Sequence, residues 1–170
     1  MERPSQKEYA AYYNGYISLV PNGNLLQILE KQNEQFCEFL AQVDEHKADF
    51  RYAKNKWSIK EVIGHIIDVE LVFLYRALRI SRKDKTNIPG FDQDNYVTNS
   101  TFSDVSLSDL VEQFYNLRKT SIAILSSFSD KMWKQKGKAN SQTVSVRALG
   151  YIMAGHVIHH MKVIHTKYLN

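Results

Sequence analysis

The sequence predicts an all-α protein, a four-helix bundle with a long connection between its second and third helices. Glycine and proline number only 7 and 3 among 170 residues, too few for an all-β chain with many tight turns or for a glycine-rich nucleotide cradle. Four segments repeat apolar residues at three- and four-residue steps, the period of helices with one buried face. Amphipathic helices of five or six turns bury such faces only against one another, which makes a bundle. With 44% hydrophobic and 24% charged residues and no internal repeat of fixed period, residues 1–170 read as one domain.

The first helix is expected over residues 24–43, after the turn signal Pro21-Asn22-Gly23-Asn24, with Leu25, Leu29, Phe36, Phe39, Leu40 and Val43 on its stripe. Cys37 adjoins that stripe and reads as a core or boundary thiol. The second, over residues 58–82, opens on Ser58-Ile-Lys-Glu61, a capping box in which the serine hydroxyl and the glutamate each satisfy one free amide. The third begins near Ser106, has Asp109 in its first turn, and keeps Leu110, Phe114, Leu117, Ile122 (or Ser121) and Leu125 on one side. The fourth covers residues 145–168. Residues 44–57, 84–105 and 129–144 read as connections. The second of these contains Pro89-Gly-Phe-Asp92 within a stretch of turn residues, two aromatics and two acids; long ordered loops in compact domains are disproportionately functional.

The second helix is apolar almost all round, because Ile63, Ile67, Leu71, Leu74 and Leu78 form a row on a different side from Val62, His65, Val69 and Val72. Such a helix needs cover on two sides, from the long connection or from a second subunit; a homodimer is the expectation.

Lys and Arg exceed Asp and Glu by 22 to 18. The nearest approach to a basic patch is Lys131-Met-Trp-Lys-Gln-Lys-Gly-Lys138, where one indole lies among four lysines. One basic loop without an aromatic series or a recognition-helix pattern argues against nucleic acid as the partner, and Trp133 reads as an anchor of the core. No apolar run reaches the roughly 18 residues that cross a bilayer, the start Met1-Glu2-Arg3-Pro4-Ser5 has no apolar export signal, and a lone cysteine fits a reducing compartment. A cytoplasmic protein without membrane contact is expected.

Chemistry concentrates in the histidines of the fourth helix, His156-Val-Ile-His-His160. At about 100° per residue, Leu149, Met153, His160 and Val163 fall within about 60° of His156, whereas His159 lies at the edge of the stripe and His165 opposite it. His156 and His160 are therefore on the buried face, four residues apart, the spacing with which a helix directs two imidazoles to one point. The second helix offers His65 on an apolar face, with Asp68 three residues on. A bundle that joins these faces builds a three-histidine site with open coordination positions; separate, hydrogen-bonded core histidines are the alternative.

Taken together, Arg3-Pro4 with Tyr16-Ile-Ser-Leu-Val-Pro21, Lys56-Trp-Ser-Ile-Lys-Glu61 leading to His65-Ile-Ile-Asp68, the loop Pro89-Gly-Phe-Asp92 and His156-Val-Ile-His-His160 resemble the DinB/YfiT-like metalloenzyme family over nearly the whole chain. The resemblance implies a four-helix bundle, commonly dimeric, with a divalent metal on His65, His156 and His160. It also implies an enzyme acting on a small molecule, either a hydrolase or a transferase of low-molecular-weight thiols such as bacillithiol. Where relatives often carry a glutamate after the first histidine of the last-helix motif, this chain has Val157, so no zincin-type base stands there.

Three neutral imidazoles leave a bound ion its full positive charge, which suits it to polarise an electrophile or stabilise a thiolate near neutral pH. Nitrogen ligands fit zinc or nickel. Asp68 is the candidate partner for a ligand histidine or the candidate base, and Asp92 on the long loop is a second candidate. Arg76 and Arg79 read as surface or dimer-contact residues that could also receive an acidic substrate group. The alternative to an enzyme is a non-catalytic metal- or ligand-binding dimer.

Overall fold

The computed structural model describes residues 2–170. Four long helices form the bundle: α2 (Leu25–Leu40), α4 (Ile59–Ser81), α6 (Leu107–Ser126) and α8 (Val146–Tyr168). Shorter helices α1 (Asn14–Leu19), α3 (Glu45–Ala48), α5 (Gln93–Thr98) and α7 (Asp130–Trp133) lie before and between them. In the bundle α4 packs on α6 and α8, α2 packs on the same two helices, and α1 lies along α8. No helix among the described residues is long and apolar enough to cross a membrane.

The helix starts follow local chemistry. Asn24, Ser58, Ser106 and Ser145 each accept a backbone amide of the first turn that follows them, leaving fewer orphan donors at those ends. The box at Ser58 closes in both directions, with Glu61 accepting from the Ser58 amide at 2.7 Å and donating its own amide to the serine hydroxyl at 3.2 Å. The expected stripes are buried: Leu25, Leu29, Phe36 and Leu40 on α2, and Leu110, Phe114 and Leu125 on α6. Each such side chain contributes about 1.5–3 kcal/mol when removed from water.

Two of the expected connections carry strands. β1 (Asn87–Ile88), β2 (Lys136–Ala139) and β3 (Gln142–Ser145) form a three-stranded sheet, β1 parallel to β2 and β2 antiparallel to β3. The hairpin turns on Asn140 and Ser141, both at positive φ (49° and 61°), the handedness a two-residue hairpin requires. Gly137 passes over the C-terminal end of α4 so closely that a Cβ there would stand 2.6 Å from Ile80 Cγ1. Trp133 is buried at the foot of this hairpin, edge-on to Phe128 at 5.8 Å. It anchors the core and offers no face to a nucleic-acid base, while Lys131, Lys134, Lys136 and Lys138 are exposed.

The long connection between α4 and α6 partly answers the need for cover on α4. It runs through β1, α5 and a 3-10 turn at Phe102–Asp104, and the Phe102 ring lies where a Cβ on Gly64 would be, 2.2 Å from its nearest carbons. Ile63, Ile67 and Leu74 of the second apolar row are buried. Leu71 and Leu78 are not: with Tyr75 they are 49%, 38% and 52% exposed. The apolar row is thus only partly covered by its own chain.

A polar network that the apolar pattern conceals ties the bundle together. Arg118 of α6, fully buried, donates to both carboxylate oxygens of Glu70 on α4 at 2.8 and 3.0 Å, and to Gln32 of α2 at 2.7 Å. Gln32 in turn donates to the Ala154 carbonyl of α8 at 2.8 Å. All four long helices are joined through one bidentate ion pair and one amide.

Candidate metal centre

His65 stands on α4, and His156 and His160 stand one turn apart on α8. Packing of these two helices brings their rings together: His65 Nε2 and His160 Nε2 each lie 3.1 Å from His156 Nε2, and the three ligand nitrogens all fall within 4.8 Å of one another. His65 and His156 are 2% and 6% exposed, and His160 is half-buried. His159 sits beside the cluster, edge-on to His160, and His165 faces water. This is the arrangement expected from helical phase.

Burial holds these imidazoles neutral. It pushes His65 down to about 4 and, aided by neighbouring histidines, His160 down to about 3. His156 is depressed well below its ordinary value, by burial first and then by His160, His65, His159 and the Arg118 charge. A neutral ring nitrogen either donates one hydrogen or accepts on one lone pair. His156 Nε2 faces two other nitrogens at 3.1 Å, so hydrogen bonds alone satisfy only one of these contacts. A cation at the point of convergence satisfies all three lone pairs. Nitrogens about 2.1 Å from one ion stand roughly 3.0–3.4 Å apart at angles of about 90–109°; the two separations to His156 Nε2 are 3.1 Å, and the His65–His160 pair lies within 4.8 Å. These three residues are the ones that would hold a divalent metal.

The histidines open onto a cavity of about 590 Å³. His65 and His156 line it with Val69 and Phe73, together with Tyr12, Tyr13 and Tyr16 of the N-terminal segment and with Phe91, Asp92, Asn140 and Gln142. The hairpin and the long connection thus supply polar side chains to the lining.

The tyrosines are held over the site by the N-terminal segment. Glu8 accepts from Arg147 of α8, with Nε–Oε2 at 2.7 Å, and this guanidinium lowers the Glu8 carboxyl to about 2. Arg3 donates to the Ile17 and Val20 carbonyls at 2.6 Å, closing the end of α1. Gly155 lets α1 come against α8 backbone to backbone: a Cβ there would lie 2.0 Å from the Tyr16 carbonyl oxygen. Tyr16 then sets its ring edge-on to His156 and His159, at 5.5 and 5.3 Å, and burial raises its phenol well above the ordinary value. Trp57 flanks His65 on another side at 4.8 Å.

The two candidate carboxylates lie apart from the ligand nitrogens. Asp68 is half-buried, with its carboxyl raised by burial, and makes no hydrogen bond to any of the three histidines. Asp92 lines the cavity, and its Oδ1 caps α5, accepting the amides of Asp94 and Asn95 at 3.0 and 3.1 Å. Arg79 pairs with Asp84 at 2.6 Å near the surface. Arg76 is not a surface residue: it is 3% exposed and donates to the Pro89 carbonyl at 3.0 Å. Sequence reasoning missed Tyr16 and Arg118. A tyrosine-rich N-terminal run was the available signal for the first; nothing in the apolar pattern marks the second.

The architecture is similar to that of solved proteins. YfiT from Bacillus subtilis, described as "a probable metal-dependent hydrolase with an unusual four-helix bundle topology", superposes with a TM-score of 0.73 at 14% identity, over 96% of this chain and 90% of that one. The mycothiol-dependent maleylpyruvate isomerase gives a TM-score of 0.68 at 12% identity, over 86% of this chain. This chain spans 61% of that isomerase. No curated protein sequence matches. The sequence model of the DinB superfamily matches residues 28–164, a span that begins inside α2 and includes all three histidines; this protein belongs to the DinB superfamily.

Proposed function

We propose that the protein is a divalent-metal-dependent enzyme acting on a small molecule, as a thiol S-transferase of the bacillithiol type or as a hydrolase. The observation that carries this reading is the convergence of three neutral histidine nitrogens, two of whose rings line an aromatic-walled cavity. Zinc or nickel suits the donor set. When bound, such an ion supplies Lewis-acid chemistry, polarising an electrophile and favouring thiolate or hydroxide near neutral pH. The chain's own residues provide the rest. Tyr12, Tyr13, Phe73 and Phe91 exclude water from the bound substrate, and Asn140 and Gln142 orient its polar groups at the rim. Asp68, three residues after His65 on α4, and Asp92, at the cavity wall, are the two candidates to take up a proton.

Support for a role in binding without turnover comes from Val157, buried at the position where a glutamate base would stand, and from the ligand histidines' having no carboxylate partner among the described residues. The two readings separate in one experiment. Metal-loaded protein is screened for consumption of low-molecular-weight thiols with electrophiles, and for hydrolysis of small esters and amides, with and without chelator. Turnover abolished by chelator supports the enzyme; tight metal without turnover supports the binding module. The open Leu71, Tyr75 and Leu78 face is the surface assigned to a homodimer. Light scattering reporting a monodisperse monomer at high micromolar concentration removes that assignment.

A further inference from the structure

Residues 82–85 and 131–138 hold seven lysines and arginines and one acid, in a chain whose net charge is +4, so the rest of the molecule is net acidic. That acid, Asp84, is already engaged: it accepts from Arg79 at 2.6 Å and from the Thr86 amide at 2.8 Å. Sheet pairing gathers three of the cations. Lys136 and Lys138 alternate with Gly137 and Ala139 on β2, so they share the exposed face of the strand, while Ala139 turns to the lining of the histidine cavity. Parallel pairing sets Asn87 beside Lys138, which carries Lys85, two residues earlier, alongside Lys136, and antiparallel pairing sets Thr143 opposite Lys138. Lys85, Lys136, Lys138 and Thr143 line a hollow of about 250 Å³ with Gly137, which has no side chain to fill it. Among the described residues none of the three lysines has a carboxylate within ion-pair distance. Like charges on neighbouring strands disfavour the sheet, and an anion in the hollow reverses that effect. The frame is fixed: Asn87 accepts from the Ser141 amide at 3.0 Å, and the Asn140 amide donates to the Ile88 carbonyl at 2.8 Å, which ties β1 to the hairpin.

We propose that this hollow is a second binding site, separate from the histidine cluster, and that it takes the phosphate groups of a small diphosphate-bearing molecule. Ammonium groups act as point charges with several donors, which suits phosphate oxygens that carry charge in many directions; a carboxylate is matched by the planar fork of an arginine, and the hollow has none. The Thr143 hydroxyl adds a neutral donor. Its volume is several times the roughly 30 Å³ share of one water, so it admits two linked phosphates. Among the described residues no aromatic ring lines it, and Trp133 is buried. Bases therefore have no surface on which to stack, and a nucleic-acid strand is not the occupant the site favours.

The test titrates inorganic pyrophosphate by calorimetry, at low salt, into the full chain freed of metal, so that no ion at the histidines competes for the probe. Wild type is expected to bind it. Lys85→Gln, Lys136→Gln and Lys138→Gln are each expected to weaken binding by about two- to fivefold, and the triple variant by about tenfold or more. Lys131→Gln and Lys134→Gln, in the same basic region but outside the hollow, are expected to change it by less than about twofold. All five lysines are exposed, and circular dichroism verifies that each variant folds as wild type does. Undetectable binding at low millimolar pyrophosphate overturns the proposal. So does equal weakening by the lysines inside and outside the hollow, which would show diffuse attraction in place of a site. Malonate binding as tightly as pyrophosphate overturns the choice of phosphate, and an oligothymidylate that binds more tightly than pyrophosphate through the same three lysines assigns the hollow to nucleic acid instead.

Discussion

The contact between α1 and α8 is where one methyl group tests the structure most sharply. In Gly155→Ala the new Cβ would stand 2.0 Å from the Tyr16 carbonyl oxygen, 2.5 Å from its carbonyl carbon and 3.0 Å from its Cα. An ordinary contact is about 3.4 Å, so the Tyr16 backbone must withdraw by about 1.4 Å. These are main-chain atoms, and rotamer change cannot relieve them. The segment is also pinned by Arg3 on the Ile17 and Val20 carbonyls, while Ile17 and Val20 are each 2% exposed. Alanine gains about 1 kcal/mol over glycine inside a helix, against about 1–3 kcal/mol or more for forced overpacking and part of the burial of Ile17 and Val20, about 1.5–3 kcal/mol each. The net is a destabilisation of about 2 kcal/mol, or a Tm lower by about 4–8 °C for a chain of this size. Gly15→Ala is the control: it lies in α1, has nothing within 4 Å of the added Cβ, and should stabilise by up to about 1 kcal/mol. Thermal unfolding followed by circular dichroism reads both. A Gly155→Ala protein as stable as wild type would refute the backbone contact and, with it, the placement of Tyr16 against His156.

Further outcomes concern the buried charges. Glu70→Gln or Arg118→Met, each leaving one partner of the buried pair alone, should cost about 3–5 kcal/mol in urea unfolding, and a Glu70→Leu/Arg118→Met double variant should recover much of it; equal losses in single and double variants would contradict the pairing. In the metal-free protein, His65 and His160 titrate far below their ordinary 6.5 when folded, so the unfolded chain binds more protons and stability falls as pH drops below 6.5 toward about 4 and 3. The loss is about 2 kcal/mol per histidine by pH 5, above the range in which Glu8 contributes, and urea midpoints at pH 7 and 5 measure it; His65→Gln should flatten the slope. Asp68→Asn keeps size and loses basicity. Retained metal with a rate reduced by about a hundredfold supports a base, metal weakened by about tenfold or less supports an orienting partner, and wild-type values for both transfer the search to Asp92.

What the sequence disclosed and what it hid have physical causes. The four long helices were legible because apolar spacing and caps such as Ser58-Ile-Lys-Glu61 are local signals. His65, His156 and His160 were legible because helical phase fixes which side chains share a buried face. The strands were not: Lys136-Gly-Lys-Ala139 lacks β-branched residues and becomes a strand through pairing with Gln142–Ser145 and with Asn87–Ile88, about fifty residues earlier. Arg118 occupies a buried stripe position on α6, and only Glu70, 48 residues away, makes that placement tolerable. Arg76 reads as a surface charge on a helical wheel until the Pro89 loop and the Phe73 and Phe91 rings close over it. Leu71 and Leu78 stay open on the single chain, and an apolar pattern cannot say how far a connecting loop reaches.

The central claim, that His65, His156 and His160 together hold one divalent ion, is tested most directly by metal titration of wild type and of five single alanine variants, with bound metal quantified by mass spectrometry. Wild type should bind one ion per chain. His65→Ala, His156→Ala and His160→Ala should each lose most of that affinity, whereas His159→Ala and His165→Ala should bind as wild type does. Loss of metal in His165→Ala, or affinity within about twofold of wild type in His65→Ala, would contradict the three-histidine centre.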